Sequence, residues 1–441
     1  MRCGARVAFF GVVFGLLGCG DGTPARTDLP YELYCNIGNA DCQRAIYDSL
    51  ASLLDAEGFD RPRLRTISVA QHEQEVRDGL DLSDLTGEDA ATRGLRLMGF
   101  IPEAAGSLTE TQAEYWITQV AAYYQRGSHA ITVVDRDYEE VNAQTLLAHE
   151  LTHAIQHSQF DLGTVGAGAN TEDGVLGVRG VIEGDAMHSS FAWTYSKLGY
   201  LPEEIDWDAI LEERKAGARD SAGDATVALI DSASSFPYAY GFDYMEAIAR
   251  RLGLDGRAAA FGSPPSTTIE HMFGYGEMLP SFDFPQVAHP APIFGHAIET
   301  EDRFGAWYVY GFLRRRGMSD SAAWDAALGW LGDELAIYES DTSLVAVWRV
   351  RFDDASTAGV LADEVNDDLR DVAWSAVLHE DDAFVFAAES EETLLAWADQ
   401  PLDSPAAVLA SKGARRAGGV SAGNCTQSIG FSIPNPPPLL H

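Results

Sequence analysis

The segment VNAQTLLAHELTHAIQHSQ, residues 141–159, carries the strongest structural signal in this chain. Its apolar side chains recur at the spacing of one helical face and predict that this face packs into a core. They are Leu147, Leu151, Ala154 and Ile155. His149 and His153 are one helical turn apart, so both imidazoles project from the same side of the predicted helix.

The motif His149-Glu150-Leu151-Thr152-His153 has the spacing of a zinc site. Two imidazoles one turn apart on a helix can both reach one zinc ion at about 2.0–2.1 Å. Glu150 lies one step round the helix, where it can take a proton from water beside the metal and pass it to a leaving nitrogen. These residue types predict hydrolysis of an amide bond.

A catalytic zinc site needs a third protein ligand and one position left open for solvent. The metzincin pattern is excluded, because Gln156 and Gln159 stand where it requires glycine and histidine. His157 lies too far along the helix to bind the same ion. An acidic ligand on the next predicted helix remains, and Glu183 in the sequence Glu183-Gly184-Asp185-Ala186 provides it, with His188 as a fallback.

These motifs resemble those of the gluzincins, zinc peptidases related in fold to thermolysin. More narrowly, the chain is similar to a largely uncharacterised group of exported bacterial proteins with an HELTHALQDQ-type helix and a later EGDA helix. The resemblance covers roughly residues 95–365. It implies that His149, His153 and Glu183 bind zinc and that Glu150 is the general base. The motifs that continue it are Gln159-Phe160-Asp161-Leu162, Pro264-Pro265-Ser266-Thr267 with His271, and Gly329-Trp330-Leu331-Gly332-Asp333.

One position departs from the thermolysin pattern, since Met187 stands where an aspartate orients the first histidine. Asp185 either holds a ligand imidazole through its second nitrogen or stabilises the helix and its loops. The donor that stabilises the oxyanion is also open. His271, which follows the rigid Pro264-Pro265 loop, is the first candidate, and a buried structural histidine is the alternative. Three tyrosines are further candidates, with a core or rim position as the alternative for each: Tyr238, Tyr240 and Tyr275.

Residues 1–18 predict a lipoprotein signal peptide, because an apolar run too short to span a bilayer ends at Leu16-Leu17-Gly18-Cys19. This ending resembles the bacterial lipobox, which implies lipid attachment to Cys19. Gly20 as the second mature residue favours the outer membrane over the inner one. An ordinary secretory signal is the alternative. Export places Cys35 and Cys42 in an oxidising compartment, where they can close a small disulfide loop, and leaves Cys425 unpaired.

The composition limits the partners. The 441 residues carry a formal net charge of -37 and no basic stripe, which argues against nucleic acid as a ligand. A well-solvated surface explains the acidity, and a preference for cationic substrates is the alternative. With 46% hydrophobic residues the chain can bury a substantial core.

The predicted fold class is α+β, with a zincin-like, mainly helical catalytic core, a small mixed sheet and a C-terminal α/β segment. The predicted organisation is a signal peptide (1–18), a tether with the Cys35/Cys42 loop (19–43), the metallopeptidase core (44–290), a C-terminal helical and α/β segment (291–400) and an irregular tail (401–441). A Pro-rich break, 285–292, suggests the boundary. The predicted helices are 45–56, 109–124, 141–159, 178–196, 240–252, 300–314, 319–328 and 356–365, and the predicted strands are 130–134, 335–338 and 344–352. Strand 130–134 is the predicted cleft edge.

Three functions are consistent with the sequence. The first is a zinc metallopeptidase, anchored through Cys19 on the outside of the cell and acting on peptide or protein substrates. The second is a lipoprotein that keeps a peptidase fold for peptide binding or assembly without turnover. The third is an amidase acting on cell-wall peptides. The oligomeric state is open.

Overall fold

The computed structural model describes residues 29–79, 89–103, 105–106, 108–136, 140–226, 228–276, 296–366 and 373–399. Within these ranges the fold is α+β, as predicted, with many helices and two small sheets. The signal peptide, Cys19, Cys425 and the tail 401–441 lie outside the described residues, as does the Pro-rich break 285–292. No helix of the described part is long and apolar enough to cross a membrane.

The first sheet has three strands in the order β1-β3-β2, with β1 parallel and β2 antiparallel to β3. Their bounds are β1 Arg63–Ser68, β2 Ala122–Gln125 and β3 Ala130–Asp135. The prediction that strand 130–134 is the cleft edge is therefore wrong, because β3 is hydrogen-bonded on both sides. The edge next to the His149 helix is β2, whose residues were predicted to continue a helix from 109 to 124. Tyr123 and Tyr124 favour strand over helix once β3 offers them partners.

Helices surround this sheet and carry the candidate site between them. The predicted helices 141–159 and 178–196 correspond to α5 and α6, and α6 begins earlier than predicted, with Thr171 as its N-cap. Gly253 interrupts α9 with φ 61°, at the point where the predicted helix 240–252 ends. The bounds are α1 Ala40–Leu53, α2 Val69–Gly79, α3 Ala90–Leu97, α4 Leu108–Gln119, α5 Glu140–Phe160, α6 Glu172–Lys197, α7 Trp207–Gly223, α8 Leu229–Ala233, a π-helical turn Pro237–Gly241, α9 Phe242–Gly262 and α10 Thr268–Phe273.

The second sheet is antiparallel throughout, in the order β4-β5-β6-β8-β7. The predicted helix 300–314 is wrong in its first turn, because residues 300–302 pair with β5 as part of β4 and the helix begins only at Ala306. The bounds are β4 Ala297–Asp302, α11 Ala306–Arg315, α12 Asp320–Leu328, β5 Trp330–Glu339, β6 Leu344–Phe352, α13 Ala355–Asn366, β7 Ala373–His379, β8 Asp382–Ala388 and α14 Glu391–Ala398.

The largest hydrophobic cluster is continuous across the predicted boundary at residue 290. It joins Phe100 of the first half to Trp307 and Trp348 of the second, all fully buried. Asp333 reinforces this junction, because its carboxylate accepts hydrogen bonds from the indoles of Trp330 and Trp348 and from two backbone amides at residues 304 and 305. The two segments therefore share one core.

Glycines on one face of α6 let its neighbours approach closely. A Cβ at Gly184 would overlap the backbone carbonyl of Gly241 in the π-helical turn, and a Cβ at Gly180 would overlap the ring of His271. Because no side chain separates the backbones, the π-helical turn lies directly against α6 beside Glu183. This packing positions Tyr238 of that turn.

The predicted disulfide between Cys35 and Cys42 is present. The backbone carbonyl of Cys35 accepts a hydrogen bond from Gln144 of α5 at 2.6 Å. The loop before α1 is thereby joined to the start of the helix that carries His149.

Candidate metal centre

Three side chains from two neighbouring helices meet at one point. His149 and His153 project from α5, and Glu183 projects from α6, which packs against it. Nε2 of His149 lies 3.2 Å from Nε2 of His153 and 3.2 Å from Oε2 of Glu183. The third side of the triangle, from Nε2 of His153 to the same oxygen, is 3.4 Å.

These separations match the edges of a metal tetrahedron. With metal–ligand distances of about 2.0–2.1 Å, two ligands of a tetrahedral ion are about 3.3–3.4 Å apart. The triangle formed by His149, His153 and Glu183 is therefore the right size for one zinc ion with a fourth position open. Two nitrogens and one carboxylate oxygen are also the donor types that zinc takes. The residues fit the ion.

The three side chains are electrostatically coupled. Burial raises the pKa of Glu183, but the adjacent imidazoles outweigh this effect and hold the pKa well below its ordinary value. Burial lowers the pKa of His153, but the carboxylates of Glu183 and Glu150 raise it to about 9. Side chains that are nearly buried, with a negative charge held between imidazoles, form a site that favours a cation.

Glu150 is buried beside this triangle and faces the edge strand. Burial raises its pKa, although the neighbouring imidazoles and a hydrogen bond with the backbone of Tyr124 act against the rise. Tyr124 belongs to β2, so the carboxyl group lies between the candidate metal centre and the open edge of the first sheet. A raised pKa suits a group that must accept a proton and then donate it.

A chain of buried polar groups holds His153. Its Nδ1 lies 2.8 Å from Oε1 of Gln156, which accepts a hydrogen bond from the Nδ1–H group and leaves Nε2 free to bind a metal. The amide nitrogen of Gln156 donates to the carboxylate of Asp185 at 2.8 Å and to the carbonyl of Ile182 at 2.9 Å. Asp185 in turn pairs with the buried Arg257 at 2.8 Å.

Asp185 therefore reaches a ligand imidazole only through Gln156. The first of the two roles that the sequence left open, a direct hold on a ligand imidazole, is therefore not the one observed. Asp185 instead orients Gln156 and joins α6 to α9 through Arg257. Sequence reasoning missed Gln156, which had served only to exclude the metzincin pattern. Its position three residues after His153, on the same helical face, was the available signal.

Tyr238 lies beside the other histidine. Its ring stacks on that of His149, with 6.0 Å between centroids and 30° between planes. Burial raises its pKa well above the ordinary range, and the carboxylate of Glu183 adds to the rise, so the phenol keeps its proton and can donate it in a hydrogen bond. Of the three tyrosines that the sequence analysis named, Tyr238 is the one that lies beside a ligand of the candidate centre.

Arg179 and Tyr115 lie close to Glu183 of the candidate metal centre, and the sequence analysis identified neither of them. Arg179 precedes Glu183 by one helical turn. Burial lowers the pKa of its guanidinium, but the neighbouring Tyr238, Glu183 and Tyr115 raise it. Tyr115 belongs to α4, and the charges of Arg179 and Glu183 act on the pKa of its phenol. The four-residue spacing from Arg179 to Glu183 was a usable signal, whereas the approach of α4 was not visible in the sequence.

The structure does not bring His271 to the three ligand atoms. Its ring is 1% exposed, packs against Gly180, and has its Nε2 2.7 Å from the carbonyl of Gly177. Its position is that of the structural histidine that the sequence left as the alternative.

The remaining candidates also lie in other surroundings. Nδ1 of His157 lies 4.0 Å from Oδ1 of Asp161. The ring of Tyr240 packs on Trp307, and the ring of Tyr275 packs on Tyr244. His188 stacks on Trp207 and lines a cavity of about 180 Å³ with Asp185 and Arg257.

The fold and the site thus define an α+β protein with a candidate His–His–Glu metal centre. A family model described as a domain of unknown function (DUF8575) matches residues 294–409. The match covers the second sheet and leaves α5 and α6 outside. No curated protein matches the chain.

Proposed function

We propose that this protein is a zinc-dependent hydrolase that cleaves peptide bonds. The observation that carries the proposal is the triangle formed by His149, His153 and Glu183, whose sides of 3.2, 3.2 and 3.4 Å are those of a tetrahedral zinc site. Glu150, buried next to the triangle, supplies the acid–base group that such a site needs for hydrolysis.

The residues of the chain take separate parts in the reaction. A zinc ion held by the triangle would polarise the scissile carbonyl and make the attacking water more acidic. Glu150 accepts the proton of the attacking water and returns it to the leaving nitrogen, so that the carboxylate is regenerated. Tyr238 donates a hydrogen bond to the developing oxyanion. The free edge of β2 can pair with the backbone of an extended peptide.

The proposed location is the outside of a bacterial cell, with lipid on Cys19 as the anchor and the outer membrane favoured over the inner one. Two observations support export. The N-terminal sequence resembles a lipoprotein signal, and the Cys35–Cys42 disulfide suits an oxidising compartment.

The test compares mature wild-type protein with Glu150→Gln and His149→Ala. We expect about one zinc per chain in the wild type and in Glu150→Gln, and cleavage of a broad peptide library by the wild type alone. His149→Ala should lose both zinc and activity. Gln144→Leu, a substitution on the same helix away from the triangle, is the control and should keep both.

Other results would point elsewhere. Cleavage that persists in Glu150→Gln would contradict the proposal. A zinc-loaded wild type that binds peptides without cleaving any would favour the binding lipoprotein. Cleavage of purified muropeptides but of no protein or linear peptide would favour the cell-wall amidase.

A further inference from the structure

Arg179 carries one buried side-chain nitrogen that lacks a hydrogen-bond partner in the described part of the chain. Nη1 of its guanidinium is inaccessible to solvent and makes no hydrogen bond within the described part of the chain. A buried N–H donor without an acceptor costs free energy, and such a donor can mark a place where water or a ligand completes the hydrogen bonding. Arg179 therefore calls for an explanation beyond the stability of the fold.

Arg179 faces the candidate metal centre. It lies four residues before Glu183 on α6, so the two side chains share one face of the helix, about 6 Å apart along its axis. Tyr238 and Tyr115, together with Glu183, lie close enough to influence the pKa of its guanidinium. Tyr115, Arg179 and Tyr238 are each partly exposed, so solvent reaches part of each side chain. We call these three residues the anion recess.

The carboxylates near Arg179 do not neutralise it in the metal-loaded protein. A bound zinc ion would neutralise the charge of Glu183, which is one of its ligands. Glu172 is fully buried and accepts a hydrogen bond from Tyr308 at 3.1 Å, while burial raises its pKa to about 8, so it is largely protonated at neutral pH. A divalent ion and Arg179 then exceed the charges of Glu150 and Glu183 by at least one. A ligand with one negative charge would balance the site.

We propose that the anion recess binds a carboxylate of the peptide substrate, next to the bond that is cleaved. A guanidinium presents paired N–H donors that match a carboxylate, and two phenols add further donors. The spacing of one helical turn between Arg179 and Glu183 suits the α-carboxylate of a C-terminal residue that directly follows the scissile bond. A glutamate or aspartate side chain carries the same group. This inference rests on the proposed function of the same site.

The experiment uses matched peptide pairs on the zinc-loaded protein. One pair ends in a free carboxylate or in a carboxamide, and a second pair, amidated at the end, carries glutamate or glutamine after the scissile bond. Within the pair that the site recognises, we expect kcat/KM to be at least about tenfold higher for the peptide with the carboxylate than for the peptide with the amide. A hydrogen bond to a charged group contributes enough free energy for that difference. The pair that shows the preference identifies the source of the carboxylate.

Variants then assign the preference to Arg179. Arg179→Gln should abolish the difference in kcat/KM between the acid and the amide peptide. Arg179→Lys should retain part of that difference, because the positive charge remains but the paired N–H donors of the guanidinium are lost. Arg77→Gln, an exposed arginine on α2 paired with Glu73, is the matched control and should behave as the wild type.

A binding assay separates this inference from the proposed function. Zinc-loaded Glu150→Gln, which should not turn over, is titrated calorimetrically with a dipeptide hydroxamate that ends in a carboxylate or in a carboxamide. Tighter binding of the acid, abolished in the double variant with Arg179→Gln, supports the recess even if no peptide is cleaved. Equal affinities, or equal rates within each peptide pair, would overturn it. If Arg179→Gln does not fold, the wild-type comparisons alone decide.

Discussion

Gln156 offers the sharpest test of how the candidate centre is built. Its side chain is fully buried, and its amide group makes three hydrogen bonds, to the imidazole of His153, to Asp185 and to the carbonyl of Ile182. Gln156→Leu preserves the approximate volume and removes all three. We expect His153 to lose its fixed tautomer and ring orientation, which weakens it as a metal ligand.

The magnitude follows from the contacts. Removal of a group that orients a metal-binding histidine lowers metal affinity by about 10- to 100-fold, which corresponds to about 1.4–2.7 kcal/mol. The free energy of unfolding of the metal-free protein should also fall, by about 1–3 kcal/mol. The buried carboxylate of Asp185 loses the hydrogen bond from the amide of Gln156, although its ion pair with Arg257 remains.

The assay is a zinc competition titration against a chromophoric chelator, combined with urea unfolding of the metal-free protein. Gln144→Leu is the matched control, because Gln144 is on the same helix, is 3% exposed and donates to the carbonyl of Cys35 instead of contacting a histidine. Both variants should lose stability, and only Gln156→Leu should lose zinc affinity. If folded Gln156→Leu binds zinc within twofold of the wild type, the positioning argument is wrong.

Three further predictions concern the core around the centre. Burial raises the pKa of Glu172 to about 8, so its folded form holds a proton that the unfolded chain releases. Its contribution to the unfolding free energy is present below pH about 4.5 and falls by up to about 1.4 kcal/mol per unit as pH rises towards 8. Glu172→Gln should lack this slope in urea unfolding at several pH values, and parallel curves would contradict it. Asp333→Ala should cost about 4 kcal/mol or more, because it leaves two indoles and two amides buried without an acceptor, and a loss below about 1 kcal/mol in the same assay would refute this. Gly184→Ala should cost about 1–3 kcal/mol through overlap with Gly241 and weaken zinc binding, whereas Gly359→Ala, which has open space on α13, should be neutral or stabilising. Equal thermal shifts for the two alanines would count against the close packing.

Local signals were sufficient for the helix that carries His149 and His153. Its periodicity, its histidine spacing and the later Glu183 depend on side-chain directions along single helices, which follow from helical geometry alone. The same reasoning placed α12, α13 and β6 close to their observed bounds. The disulfide of Cys35 with Cys42 was equally accessible, because a short separation in sequence leaves few other partners.

The errors concern segments whose structure depends on a distant partner. Residues 122–124 and 300–302 were predicted as helix and belong to strands, since β3 and β5 supply the hydrogen bonds that make the extended form favourable. The same limit applies to β3 itself, whose central position is decided by β1, far away in the sequence.

The sequence by itself determined the class of fold, the helix with its two histidines, and the acidic residue most suited to join them. Only the tertiary structure decided what surrounds these groups. Gln156 lies behind one imidazole and Tyr238 on the other, Nη1 of Arg179 has no hydrogen-bond partner among the described residues, and His271 is turned to the backbone of α6. The reason is physical. Local geometry sets a motif on one helix. The groups that orient the ligands and determine the net charge of a site come from separate elements that a shared core brings together.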